Sequence, residues 1–227
     1  MTAVSTKDVN IYFSKTAGTP VVAAAPTGTA GSEASLAVTT GSGVAFDALK
    51  IRGTGINSID QACMAKADFA DAGSLELLGI DGGFTTAKAP TTLQVFGEND
   101  WIKLCLSELS INSNDPNTVS VATYCNPQAV MESAVQEAGT FGFGGYMSTC
   151  DTDYPELYRL CADQSEVLIL IDLGNVDDCK QGYLLAEGVC SSNMAWSLPL
   201  DGAIEYSGSV LLQNKFRHFW PTMAPIF

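Results

Sequence analysis

Apolar and polar residues alternate along much of this chain with the period of a half-buried strand. DVNIYFS puts Val9, Ile11 and Phe13 on one face, TTLQVF pairs Leu93 with Val95, and WIKLCLS sets Ile102, Leu104 and Leu106 opposite Lys103 and Ser107. EVLILIDLG departs from the alternation, being apolar on both faces from Val167 to Ile171. Such a run predicts a central strand covered on both sides. Two stretches predict helices instead. In NPQAVMESAVQEAG, Asn126 caps, Pro127 takes the first helical position, Gly139 ends the helix, and Val130, Ala134 and Ala138 form a narrow apolar face. In DYPELYRLCADQ, Asp153 and Glu156 have capping-box spacing, and Tyr154, Leu157, Tyr158 and Cys161 recur at helical intervals, predicting a helix packed on a sheet.

From about Val21 to Gly83 the texture shifts to small residues and frequent glycine. Short strands such as DALKIR, CMAKADF and SLELLG are separated by glycine or serine turns. This predicts a small β-module over 21–83, set into a larger domain formed by 1–20 and 84–227.

Near the carboxyl end the alternation returns at greater length. Cys190, Ser192, Met194, Trp196 and Leu198 share one face, and Val189, Ser191, Asn193, Ala195 and Ser197 share the other. After the turn formers Pro199, Leu200, Asp201 and Gly202, Ile204, Tyr206, Val210 and Leu212 lie opposite Glu205, Ser207, Ser209 and Gln213. The pattern is a long hairpin with one greasy and one wet face. Long strands with a wet face need their edges covered. The expectation is that these last two segments complete their hydrogen bonding with sister copies.

Charge narrows the functional classes. With 11 Lys+Arg against 25 Asp+Glu the net charge is -14, so the surface repels phosphate backbones and anionic membranes. A nucleic-acid reader is disfavoured, although an acidic, cation-poor passage would let DNA slide without gripping it. The start MTAVSTKDVNIYF lacks the basic and apolar regions of a signal peptide, and VLILI is too short to span a bilayer, so the chain reads as soluble and unexported. Its 7 cysteines are scattered without a CxxC pair, as expected of reduced, mostly buried thiols.

A catalytic set is missing from the pattern. His218 is the single histidine, too few for a His-based zinc site, and the cysteines lack finger spacing. TFGFGGYM ends without the GKS or GKT of a phosphate loop and reads as a flexible linker. Asp151 and Asp153, or Asp177 and Asp178, lack the spacing of a calcium loop. No enzyme activity, cofactor or metal is expected. Phe216, His218, Phe219 and Trp220 read as an aromatic docking segment.

The carboxyl-terminal stretch GVCSSNMAWSLPLDGAIEYSGSVLLQ, through Gly188, Ser191, Pro199, Asp201, Gly202, Ile204, Tyr206, Ser207 and Leu211, resembles the closing hairpin of phage tail tube proteins. DVNIYF and the segment from DYPELYRLCADQ to EVLILIDLG are similar to that family as well, and GTGINSIDQ with SLELLGIDGG resembles a small β-module inserted in several phage tail proteins. The resemblance implies a mainly β fold, sandwich- or barrel-like, with one or two flanking helices and the small inserted module. It implies six copies to a ring, rings stacked into a tube in the virion tail, and assembly in the host cytoplasm. Partners would be the chain itself, other tail proteins (tape measure, terminator, baseplate or sheath) and DNA in transient, non-specific passage, without membrane insertion. TFGFGGYM would then be a candidate inter-ring loop.

On this reading the assembly residues are Val9, Ile11, Phe13, Trp196, Pro199, Asp201, Gly202, Tyr206, Phe219 and Trp220. Candidates for the lumen are Asp201, Glu205, Ser207, Ser209 and Gln213. Two other classes compete. A receptor- or glycan-binding β-sandwich module would use exposed aromatics, Trp101 and Trp220 foremost, and a cysteine hydrolase would pair His218 with a reactive thiol.

Overall fold

The computed structural model describes residues 9–15, 17–26, 35–55, 62–79, 83–104, 106–112, 118–123, 126–133, 139–146, 154–174, 182–192, 194–198, 203–214 and 216–219. The fold is mainly β, and among these residues there is one α-helix.

The first sheet runs β10 (Leu106–Asn112), β13 (Thr140–Tyr146), β17 (Glu205–Leu212), β15 (Tyr183–Cys190), β14 (Glu166–Asp172), β1 (Asn10–Ser14) and β9 (Trp101–Leu104). Every pairing is antiparallel. β9 and β10 stand at opposite ends of this order, yet Leu104 and Leu106 are separated by a single residue. One bent strand therefore feeds both ends, and the sheet curls into a nearly closed barrel.

The second sheet closes by the same device. Its order is β2 (Thr19–Pro20), β8 (Ala89–Phe96), β5 (Ala48–Thr54), β6 (Ala62–Ala65), β7 (Ser74–Leu78), β4 (Ser35–Thr40) and β3 (Val22–Ala23). β2 pairs with β8 and β3 with β4, and the Val21 amide between them donates to the Leu93 carbonyl at 2.8 Å. The 21–83 stretch supplies β3 to β7 of this sheet, and β2 and β8 flank that stretch.

Three apolar clusters follow from strand parity. Val167, Ile169 and Ile171 of β14 point into the first barrel with Phe13, Phe141 and Phe143, whose rings pack with centroids 5.3 to 6.5 Å apart. Leu168 and Leu170 point the other way, onto Ala48, Met64 and Phe96 of the second sheet. This is why β14 is apolar on both faces. The second barrel has its own core, with Leu49, Ile51, Cys63 and Leu75 inaccessible to solvent.

Where the two barrels meet, Lys50 and Arg52 on β5 face Glu166 on β14 and Glu187 on β15. Lys50 Nζ lies 2.7 Å from Glu166 and 3.3 Å from Glu187, and Arg52 Nη2 pairs with both carboxylates. Glu187 is wholly buried, so these cations compensate a charge that would otherwise be costly to desolvate.

The helix α1 (Tyr154–Ala162) forms as expected and buries Leu157, Leu160 and Cys161 against the first barrel. Asp153, its expected cap, lies outside the described residues. The other expected helix is a correction. Asn126–Ser133 is a strand, β12, paired with β11 (Thr118–Thr123) in a two-stranded sheet of their own. TVSVAT is rich in β-branched residues, and its backbone groups satisfy those of 126–133 across the ladder, which overrides the local Asn-Pro start signal. In sequence, β11 and β12 lie between β10 and β13.

TFGFGGYM is a second correction, since Thr140–Tyr146 is β13 in the interior of the sheet and no linker. Phe141 and Phe143 point into the core while Gly142 and Gly144 lie on the opposite face, so the alternation is present with hydrogen in place of polar side chains. Gly208 answers Phe143 across the ladder, and a Cβ there would sit 2.5 Å from the Phe143 ring.

Candidate functional site

The carboxyl-terminal hairpin forms with its two faces as the alternation predicts. Tyr206, Val210 and Leu212 are buried, while Glu205, Ser207 and Gln213 are exposed and Ser209 is half-buried on the outward face. Ser110 of β10 and Gly142 and Gly144 of β13 share this outward surface through the ladders Ser110↔Gly142, Gly142↔Ser209 and Gly144↔Ser207. The surface is made of small and polar residues and is free of cations among them. Leu211 interrupts it as an exposed apolar side chain.

The edges differ from expectation, and the difference locates the site. β17 pairs along one side with β13 from Glu205 to Leu211 and along the other with β15 and then β16 (Ala195–Ser197). Its hydrogen bonding is complete inside one protomer, so sister copies are not needed for it. Of the two carboxyl-terminal segments it is β16 that has an outer edge without a partner among the described residues. β10 has an open edge at the far side of the segment β10, β13, β17, β16, and among the described residues β9, at the other end of the sheet order, and β18 are also paired along one side alone. On β10, Leu109 and Ile111 are each 43% exposed. A long strand edge carrying exposed apolar side chains is a template for another strand.

Of the expected assembly residues, Ile11, Phe13, Tyr206 and Phe219 belong to the interior, and Val9 packs half-buried on the same core. Within the protomer these side chains hold strands together. Trp196 is exposed on β16, its indole N–H donating to the Tyr154 hydroxyl at 2.6 Å and its ring 5.8 Å from Tyr158 of α1. Pro199, Asp201, Gly202 and Trp220 lie outside the described residues. Tyr146 at the end of β13, Leu198 just after β16 and Ile204 just before β17 are exposed, an apolar feature that strand parity alone hides.

His218 is exposed on β18 (Arg217–Phe219), which pairs with β15 beyond the reach of β17. The aromatic segment thus supplies a strand, with Phe219 buried between the barrels. Cys63, Cys161 and Cys190 are buried free thiols. Burial pushes the Cys63 thiol far up. Cys161 and Cys190 hydrogen-bond to each other in the core, an arrangement that lowers Cys161 and raises Cys190. Among the described residues no group of His, Cys, Asp or Glu could hold a metal ion, and no helix is long and apolar enough to cross a membrane.

The chain matches no known family model, and no curated protein matches it.

Proposed function

We propose that the chain is a structural, self-assembling subunit that joins sister copies edge to edge into a ring, with rings stacking into a phage tail tube. The observation that carries the proposal is that β10 and β16, each paired along one side alone, stand at opposite sides of a four-stranded antiparallel segment, with the exposed Leu109 and Ile111 on β10. Two different edges make a head-to-tail contact, and such contacts close into rings when the rotation between copies allows. Antiparallel order continues across the join, since β16 and β10 run in opposite directions. The outward face of the segment, with Ser110, Glu205, Ser207, Ser209 and Gln213, would line the passage. The net charge of -14 suits a wall that lets DNA pass without holding it.

The ribbon of β11 and β12 supports the same reading. Two strands alone are marginally stable in water, and this pair belongs to neither barrel. A neighbouring ring is a natural partner. The copy number of six rests on the resemblance of the carboxyl-terminal hairpin.

Sedimentation velocity across a concentration series, followed by negative-stain microscopy, tests the proposal. The expected result is rings or tubes with an open axial channel, lost in Leu109→Lys/Ile111→Lys. A chain that stays monomeric at high concentration and yields no channel-bearing particle contradicts it.

A further inference from the structure

A cleft of about 290 Å³ opens where the two barrels meet, between the start of β5, the residues after β8 and the outer face of β1, β14 and β15. Its walls carry five aromatic rings, the buried Phe96 and the half-buried Tyr12, Phe46, Trp101 and Tyr183. The Phe46 backbone is left-handed, at φ 70°, a conformation unfavourable for a bulky residue. Its amide donates to the Ala65 carbonyl at 2.8 Å, and its ring stacks on Tyr183 with centroids 5.8 Å apart and planes 24° from parallel. Trp101 is fixed by an indole N–H donated to the Phe96 carbonyl at 3.3 Å. The Phe46, Tyr183 and Trp101 rings are thus held in place while remaining partly exposed.

The polar groups of the cleft are of one sign. Asp47, Glu98 and Asp172 line it, and among the described lining residues there is no lysine or arginine. Asp47 accepts the Val44 amide at 2.8 Å, and Asp172 accepts the Gly174 amide at 2.9 Å, so both carboxylates are positioned by the backbone. Burial raises the Asp47 carboxyl, the Val44 hydrogen bond works against that rise, and the Asp100 and Asp68 charges add to it. Burial and the Asp172 charge together push Tyr183 up to about 12. Lys103, exposed on β9 opposite Tyr12, and Lys15, whose Nζ donates to the Asn99 carbonyl, lie close by and outside the lining. Ring faces carry negative potential, and carboxylates at their rim add to it.

We propose that this cleft binds an organic cation, an ammonium or guanidinium group seated on the aromatic faces with Asp47 and Glu98 beside it. The cleft lies at the barrel junction, away from the β10 and β16 edges, so this site neither needs nor implies ring formation. Its size suits one cationic head group in place of a long chain.

The test is a two-dimensional NMR titration of the full chain at low protein concentration. It follows the Trp101 indole N–H, assigned with Trp101→Phe, together with the backbone amides of Phe46 and Tyr183. Choline and N-acetyl-arginine amide are the cationic probes, and 3,3-dimethylbutanol is the neutral isostere of choline. The expected result is a saturable shift with a cation and at least about tenfold weaker binding of the neutral isostere. Tighter binding of choline identifies a small-molecule quaternary ammonium as the source, whereas tighter binding of the arginine derivative identifies a basic side chain. Asp47→Asn, which keeps the Val44 cap, should weaken either cation with the amide spectrum retained. If that variant loses its dispersed spectrum, Glu98→Gln on the exposed turn carries the same comparison. Equal binding of choline and its isostere, no shift with either cation, or a shift with methyl glucoside alone would overturn the proposal.

Discussion

The two barrels are closed by the same device and finish differently. In the smaller one the bent strand is short, β2 and β3 contributing two residues each, with the Val21 side chain buried between them. It ends as soon as both neighbours are paired. In the larger one the second half of the bent strand, β10, is seven residues long and leads on to the ribbon of β11 and β12. Closure thus leaves almost no spare edge in one barrel and a long one in the other. The difference separates a unit built to be finished from one that can still add strands, and it is the physical ground for reading the larger barrel as the part that assembles.

The largest expected effect comes from the junction that the smaller barrel makes with the larger. Lys50→Ala/Arg52→Ala removes both cations facing Glu187 and strands a buried charge, with an expected loss of about 3–5 kcal/mol in chemical denaturation. Next comes a matched pair of lysine substitutions in the two closing strands. Val21→Lys forces a charge into a closed barrel and should cost about 3 kcal/mol, while Ile111→Lys, on a half-exposed position, should cost about 1 kcal/mol or less and act on association instead. Equal losses would erase the distinction between the two closures.

Gly208→Ala sharpens the account of the larger barrel, since its new methyl meets the buried Phe143 ring, and a loss of about 1–3 kcal/mol is expected. The smallest effect is on acid stability. The hydrogen bond from Lys50 holds the Glu166 carboxyl below its usual range, with burial opposing and the Lys50 and Arg52 charges assisting. A carboxyl lowered on folding contributes stability that is fully present above its unfolded value of about 4.3 and is lost as the pH falls through the lowered folded value. Glu166→Gln should therefore flatten the decline in melting temperature below that pH, modestly because the side chain is half exposed.

Much of this architecture is legible residue by residue. The alternation of DVNIYFS and WIKLCLS, the double-sided run of EVLILI and the helical spacing of Leu157 and Cys161 all report local burial, which parity and periodicity encode directly. β13 is harder to see, because Gly142 and Gly144 take the outward positions and turn a strand into what looks like a loop. β12 is misread because Asn126, Pro127 and Gly139 imitate helix punctuation, while the ladder with β11 depends on a partner segment. The same limit applies to the candidate site. The wet face of β17 can be read from Glu205, Ser207 and Gln213, but which edges stay open depends on pairings between residues far apart in sequence, such as Phe141↔Val210 and Ile11↔Ile171. Burial of Phe13 and Tyr206 in the core follows from those pairings too.

Hydrogen exchange of individual backbone amides, measured on the dilute chain and again after concentration, tests the central claim most directly. The account predicts that β17 amides are protected at both concentrations, whereas the outward amides of β10 exchange quickly in the dilute chain and slow on association. Full protection of β10 in the lone protomer, or an unchanged exchange rate there once particles have formed, would contradict it.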